Sequence, residues 1–170
     1  MRRDEIERYL REVGRYLNAQ ALTGEILIVD GAYMTLILRQ RDTTKDVDAY
    51  FSRHAQAIRQ AAAQVAGDNG LPQDWLNDAV KGFLYTQPEN RLWADFPGLR
   101  VYVPDPAYVF AMKAVAGRPE DVPDLLALSA ELGLRSATDA LAIVERYIPE
   151  RLIAPRVQYL VEDLFEHDDK

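Results

Sequence analysis

Near Pro104 the apolar residues of this chain change period, and that change limits the fold more than any other feature. Downstream they recur every three or four residues, between signals that start and stop helices. Asp105 can cap and Pro106 can occupy the first turn of a helix running to about Ala116, with Gly117 as its stop. Asp121 to Leu132 forms the next, ended by Gly133. Ser136 or Thr138 caps a third through Tyr147, and Pro155 precedes a last one through about Phe165.

Upstream of Pro104, helices alternate with short apolar runs and with period-two stretches. Ile6, Tyr9, Leu10, Val13, Tyr16 and Leu17 make the apolar stripe of a first helix. Gly24 punctuates, and Glu25 to Val29 reads as a buried strand that ends at the turn Asp30-Gly31. Ala32 to Leu38 fits helix or strand, and its lack of turn punctuation favours helix. From Thr44 to Phe51, Val47, Ala49 and Phe51 alternate with Asp46, Asp48 and Tyr50, as in a strand. A helix from about Arg53 to Ala66 ends at Gly67-Asp-Asn-Gly70, and Gln73 to Phe83 reads as a short helix facing inward with Trp75, Leu76, Val80 and Phe83. Residues 84–98 carry no clear pattern, with Trp93 to Phe96 irregular or a strand, and Leu99 to Val103 is a strand. The first two thirds are therefore α+β or α/β and the last third helical. With no internal repeat or low-complexity linker, one compact unit over residues 1–170 is the simplest organisation, with a core at about 20–105 and a helical part at about 106–170.

Composition removes several classes of function. A length of 170 residues is about one domain. The absence of cysteine excludes disulfides, thiolate zinc sites and a cysteine nucleophile. Two histidines, His54 and His167, make a histidine-rich metal site improbable. Lys plus Arg is 20 against 27 Asp plus Glu, a net charge of −7 that argues against a general nucleic-acid coat and leaves room for a local basic patch. No apolar run approaches the roughly 18 residues of a membrane span, and the first residues lack the apolar segment of a signal peptide, so the expected setting is the cytoplasm with no membrane partner.

Two constellations carry the chemistry. On a strand, Asp46 and Asp48 point to one face about 7 Å apart at the backbone. Carboxylates that close repel unless a cation sits between them, and oxygen ligands alone suit Mg²⁺ or Mn²⁺. Upstream, the Asp30-Gly31 turn leading into a helix offers backbone N–H groups suited to phosphate oxygens. Spacing alone also fits a solvated strand face and an ordinary turn. In the second constellation Lys113 stands among Phe110, Ala111, Met112, Ala114 and Val115, so it either snorkels to the surface or is aimed at an anion. Arg118 follows the helix end, and Asp121 and Asp124 open the next helix, where carboxylates favour the dipole and Asp121 can serve as an N-cap.

Taken together and in this order, these residues resemble the nucleotidyltransferase-like proteins around the AbiEii-type toxins, within the polymerase-beta-like superfamily. The likeness covers about residues 24–130. Its first motif is the strand into Asp30-Gly31-Ala32, the loop with Arg41, Thr43, Thr44 and Lys45, and the pair Asp46 and Asp48. Its second is Tyr102-Val-Pro-Asp-Pro-Ala-Tyr-Val-Phe-Ala-Met-Lys113, then Gly117-Arg118, then Asp121 and Asp124-Leu125. The resemblance implies an α+β fold, a small mixed sheet flanked by helices with a helical C-terminal part. It also implies transfer of a nucleotide from an NTP to a tRNA or protein acceptor, as the toxin of a toxin–antitoxin pair with a cognate antitoxin. Asp46 and Asp48 would hold Mg²⁺ or Mn²⁺, Asp30 and Gly31 would line the phosphate turn, and Lys113 with Arg118 would neutralise phosphates. Asp121 or Asp124 would position Lys113 or help activate the acceptor hydroxyl. The family turn usually opens with glycine, and here that position is Asp30, a departure that points to the alternative of a catalytically inactive binding or regulatory module.

The remaining polar and aromatic residues are less specific. Asp95 and Asp105 are positional candidates for a third metal carboxylate, with Asp105 reading better as a helix cap. Tyr85, Trp93 and Tyr102 could stack a base or simply pack. Arg39, Arg41, Lys45, Arg53 and Arg59 form a modest cationic cluster, His54 reads as an exposed histidine, and the acidic tail Glu162 to Lys170 is expected to fray.

Overall fold

In the computed structural model, which describes residues 1–78 and 89–166, every strand comes from the chain before residue 105. The described residues divide into two compact units: residues 1–78 with Asn90–Pro104, and Glu89 with residues 105–166. The fold is α+β, with a mixed sheet and flanking helices.

In the first unit, α1 (Arg3–Ala19) leads to β1 (Gly24–Ile28), then α2 (Asp30–Tyr33), which runs directly into a π turn over Met34–Leu38. There follow β2 (Val47–Arg53), α3 (Ala55–Asn69), the two-residue β3 (Leu76–Asn77), β4 (Asn90–Phe96) and β5 (Leu99–Pro104). The sheet order is β3-β2-β1-β5-β4, with β1 antiparallel to β2 and parallel to β5. Period two decides the faces: Ile26, Ile28, Val47, Ala49, Phe51, Leu99, Val101 and Val103 are buried, and α1 and α3 pack on the sheet. The β4–β5 turn meets α1 so closely that a Cβ on Gly98, whose φ is +86°, would stand 2.0 Å from the Gly14 carbonyl oxygen. Only glycine fits there.

The opposite sheet face carries polar and half-buried residues. Register aligns Arg53, Glu25, Arg100 and Asp95 across β2, β1, β5 and β4, and each neighbouring pair lies 3.7 Å apart. The next row is Tyr50, Leu27, Tyr102 and Leu92.

One sequence expectation fails here. The described start of the Gln73–Phe83 segment is not helical: Leu76–Asn77 is a strand parallel to β2, and the Val47 N–H donates to the Trp75 carbonyl (2.7 Å). The Trp75 indole N–H donates to the Ala62 carbonyl (2.9 Å), and its ring meets Tyr9 edge-on at 5.7 Å. Burying this large side chain between α1 and α3 outweighs local helix preference. Val80, Phe83 and Tyr85 lie outside the described residues. Trp93 to Phe96 belongs to a strand, β4.

The second unit follows its punctuation closely. Its helices are α4 (Pro106–Ala116), α5 (Val122–Leu132), α6 (Ala137–Tyr147) and α7 (Pro155–Glu166), with 3₁₀ turns at Pro119–Asp121 and Glu150–Leu152. The Asp105 carboxylate accepts the Ala107 N–H (2.9 Å) and the Ser136 hydroxyl accepts the Asp139 N–H (3.2 Å), so two of the three expected side-chain caps form. α4 is apolar nearly all round and packs against α5, α6 and α7, as a central helix must. Tyr108 and Tyr147 meet edge-on at 5.4 Å. Glu162 to Glu166, expected to fray, are the last turns of α7, while residues 167–170, His167 among them, lie outside the described residues. Among the described residues no helix is long and apolar enough to cross a membrane.

Candidate functional site

The first motif assembles where β1 ends. The Val29 N–H donates to the Asp48 carbonyl (3.0 Å), extending the β1–β2 pairing by one step and setting the Asp30-Gly31 turn beside the start of β2. Asp30 has φ +55°, a left-handed conformation natural to glycine and, among other residues, best tolerated by Asn, Asp and His. A Cβ on Gly31 would stand 3.2 Å from the Thr44 hydroxyl and 3.7 Å from the Arg41 guanidinium. The turn and the loop before Asp46 are therefore packed on each other, and glycine at 31 leaves the space they share. The Thr35 hydroxyl donates to the Gly31 carbonyl (3.1 Å), inside the helical segment that follows.

Asp46 precedes β2 and Asp48 lies within it; both are half-buried, while Val47 between them is fully buried. Within β2, alternation places Asp48 on the pleat side opposite Val47 and Ala49, while Asp46 lies just before the strand. The Thr44 hydroxyl donates to the Asp46 carbonyl (3.0 Å). Among the described residues no group of three or more His, Asp or Glu is arranged to hold a metal. The donor set at Asp46 and Asp48 is that of a hard divalent cation held by one or two carboxylates, with water and phosphate oxygens completing its shell. By that chemistry the residues present fit Mg²⁺ or Mn²⁺.

The second motif forms a cluster of a different kind. Lys113 is only 4% exposed, and its ammonium donates to Asp121 Oδ1 (2.9 Å) and lies 3.0 Å from Asp124 Oδ2. Asp121 and Asp124 are 4% and 2% exposed. Asp121 stands at the N-cap position of α5 without using its side chain as a cap, because the carboxylate is turned to Lys113. Lys113 therefore does not snorkel to the surface: its charge is met inside the helical unit. Arg118 is half-exposed, with Nε 4.0 Å from Asp121 Oδ2.

Other sequence candidates resolve individually. Asp95 pairs with Arg100 on the charged row of the sheet, and Asp105 caps α4, so each has a structural use. Arg53 pairs with Glu25 and Arg59 with Asp78. Arg39, Arg41 and Lys45 stand on the loop before β2, with Arg39 in the left-handed conformation at the end of the π turn. His54 is exposed and starts α3 with φ +55°, while Trp93 and Tyr102 are half-buried. Sequence reasoning missed the cross-strand charge row and the part played by Thr44, since register and loop contacts join residues far apart in the chain. No family model, curated protein or solved structure matches the chain.

Proposed function

We propose that this chain is a metal-dependent nucleotidyltransferase-like protein, moving a nucleotide from an NTP to an RNA or protein acceptor, as a toxin paired with a cognate antitoxin would. The observation that supports the reading most is the packing of the Asp30-Gly31 turn on the Thr44 loop beside Asp46 and Asp48. Two carboxylates next to a tight backbone turn are what a cation-bound triphosphate requires. Asp46 and Asp48 would hold Mg²⁺ or Mn²⁺, which when bound supplies positive charge to the triphosphate oxygens. Backbone N–H groups at Gly31 would orient the outer phosphates, with Arg41 as a nearby cation. Asp121 or Asp124 would position Lys113, which both contact, or help activate the acceptor hydroxyl, and Arg118, half-exposed beside Asp121, would be a further cation toward an anion.

A second reading is favoured by Asp30 and by Lys113. A carboxylate in the turn repels phosphate, and an ammonium held by two buried carboxylates has its charge already matched. Those observations suit a catalytically inactive protein of the same architecture that binds or regulates a partner. Incubation with each α-labelled NTP, Mg²⁺ or Mn²⁺, and tRNA or lysate separates the two. The transferase reading expects label on a macromolecule, lost when Asp46→Ala is combined with Asp48→Ala; no transfer with any nucleotide overturns it.

A further inference from the structure

Asp46 stands just outside the strand, before the β2–β1 ladder begins, so the sheet register does not fix its orientation. Something else must, if its carboxylate is to share a cation with that of Asp48. The Thr44 hydroxyl donates to the Asp46 carbonyl (3.0 Å), a two-residue side-chain turn that sets the backbone between them.

Thr44 itself is held from the other end of the unit. Its N–H donates to the Met1 carbonyl (2.9 Å), and its carbonyl accepts from the Met1 nitrogen (2.6 Å). Arg2 and Thr43 form an antiparallel bridge beside this pair. The residues leading into α1 thus pair, strand-like, with the loop leading into Asp46. Both backbone polar groups of Thr44 are used, which leaves its hydroxyl aimed at Asp46 and stacked over Gly31 (3.2 Å to a Cβ placed there). One threonine joins the N-terminal segment, the turn and the backbone of Asp46.

We propose that Thr44 is the positioning residue of Asp46, and that Met1–Arg2 clasp the loop so that the two carboxylates present to one cation. The inference rests on the metal reading above. Removing the hydroxyl frees the Asp46 carbonyl and the peptide before it, and widens the range of carboxylate positions. The clasp also makes a claim that needs no metal: it protects the amides of the 43–48 segment from exchange.

The test uses Mn²⁺ alone as probe, its binding followed by electron paramagnetic resonance, together with amide hydrogen exchange. Thr44→Val, which keeps the shape and loses the hydroxyl, is expected to weaken Mn²⁺ binding about fivefold, the worth of one net hydrogen bond. Thr44→Ser is expected to restore it. A chain shortened by residues 1–2, with Arg3→Met supplying its first residue, is expected to exchange faster over 43–48, to match the parent in α3, and to bind Mn²⁺ more weakly. Parental affinity in Thr44→Val overturns the positioning role while leaving the metal reading intact. No Mn²⁺ binding by the parent overturns the metal reading, and the role of Thr44 toward an ion with it. Unchanged exchange over 43–48 in the shortened chain overturns the clasp.

Discussion

Asp121 and Asp124 of the helical unit are 4% and 2% exposed and share the Lys113 ammonium, whereas Asp46 and Asp48 of the sheet unit are half-buried at the start of β2 and keep contact with water. Both pairs are closely spaced acids in a net-negative chain, but burial gives them different uses. Carboxylates taken fully out of water must find their counter-charge within the protein, because isolated buried charges are too costly to keep. Half-buried carboxylates retain hydration, and a cation can exchange for that water. Asp121 and Asp124 thus hold α4 to α5, while Asp46 and Asp48 stay at the surface, where the proposed cation would bind.

The largest expected effect comes from breaking the buried cluster. Lys113→Met removes the shared ammonium from two buried carboxylates and is expected to cost about 3–5 kcal/mol of stability, read as a loss in urea midpoint. A loss below about 1 kcal/mol would show that the cluster is not a structural ion pair. By contrast, Asp46→Asn and Asp48→Asn are each expected to change stability by no more than about 0.5 kcal/mol, since neither carboxylate is deeply buried. A large loss in either variant would put the sheet pair in the same structural class as Asp121 and Asp124.

The smallest effect is a pH dependence in the helical unit. Burial raises the Tyr147 phenol above its ordinary value of 10.0, and the Asp105 carboxylate adds to the rise. The folded state therefore binds this proton more tightly than the unfolded state. Its contribution to stability is complete below about pH 10 and is lost as pH rises through the folded value. Melting temperature should fall as pH rises above about 10, less steeply in Tyr147→Phe than in the parent. Identical slopes would remove Tyr147 from the account.

Local signals made the helical unit legible. Asp105 and Pro106 open α4, Gly117 and Gly133 close α4 and α5, and Ser136 caps α6, because caps and stops are decided within a few residues of the chain. The strands Leu99–Pro104 and Val47–Arg53 were legible by apolar pattern. What the sequence hid depends on partners far away. Leu76–Asn77 is a strand because β2 lies beside it and Trp75 has a pocket, and neither can be read from Gln73 onward. Lys113 read locally as a surface or anion-binding lysine; the family resemblance alone placed Asp121 or Asp124 beside it, and the burial of all three was not legible. The site residues were visible as types and spacings; the burial that divides them into two kinds was not.

The most direct measurement is the melting temperature of the parent and of the chain carrying both Asp46→Asn and Asp48→Asn, each with Mn²⁺ and NTP together. A ligand that binds only the folded state stabilises it by about 2.7 kcal/mol at a hundredfold excess over its Kd. The parent should therefore melt several degrees higher with the ligands present, and the double variant should melt at its unliganded temperature. Equal protection of both chains, or of neither, would contradict a cation site built on Asp46 and Asp48.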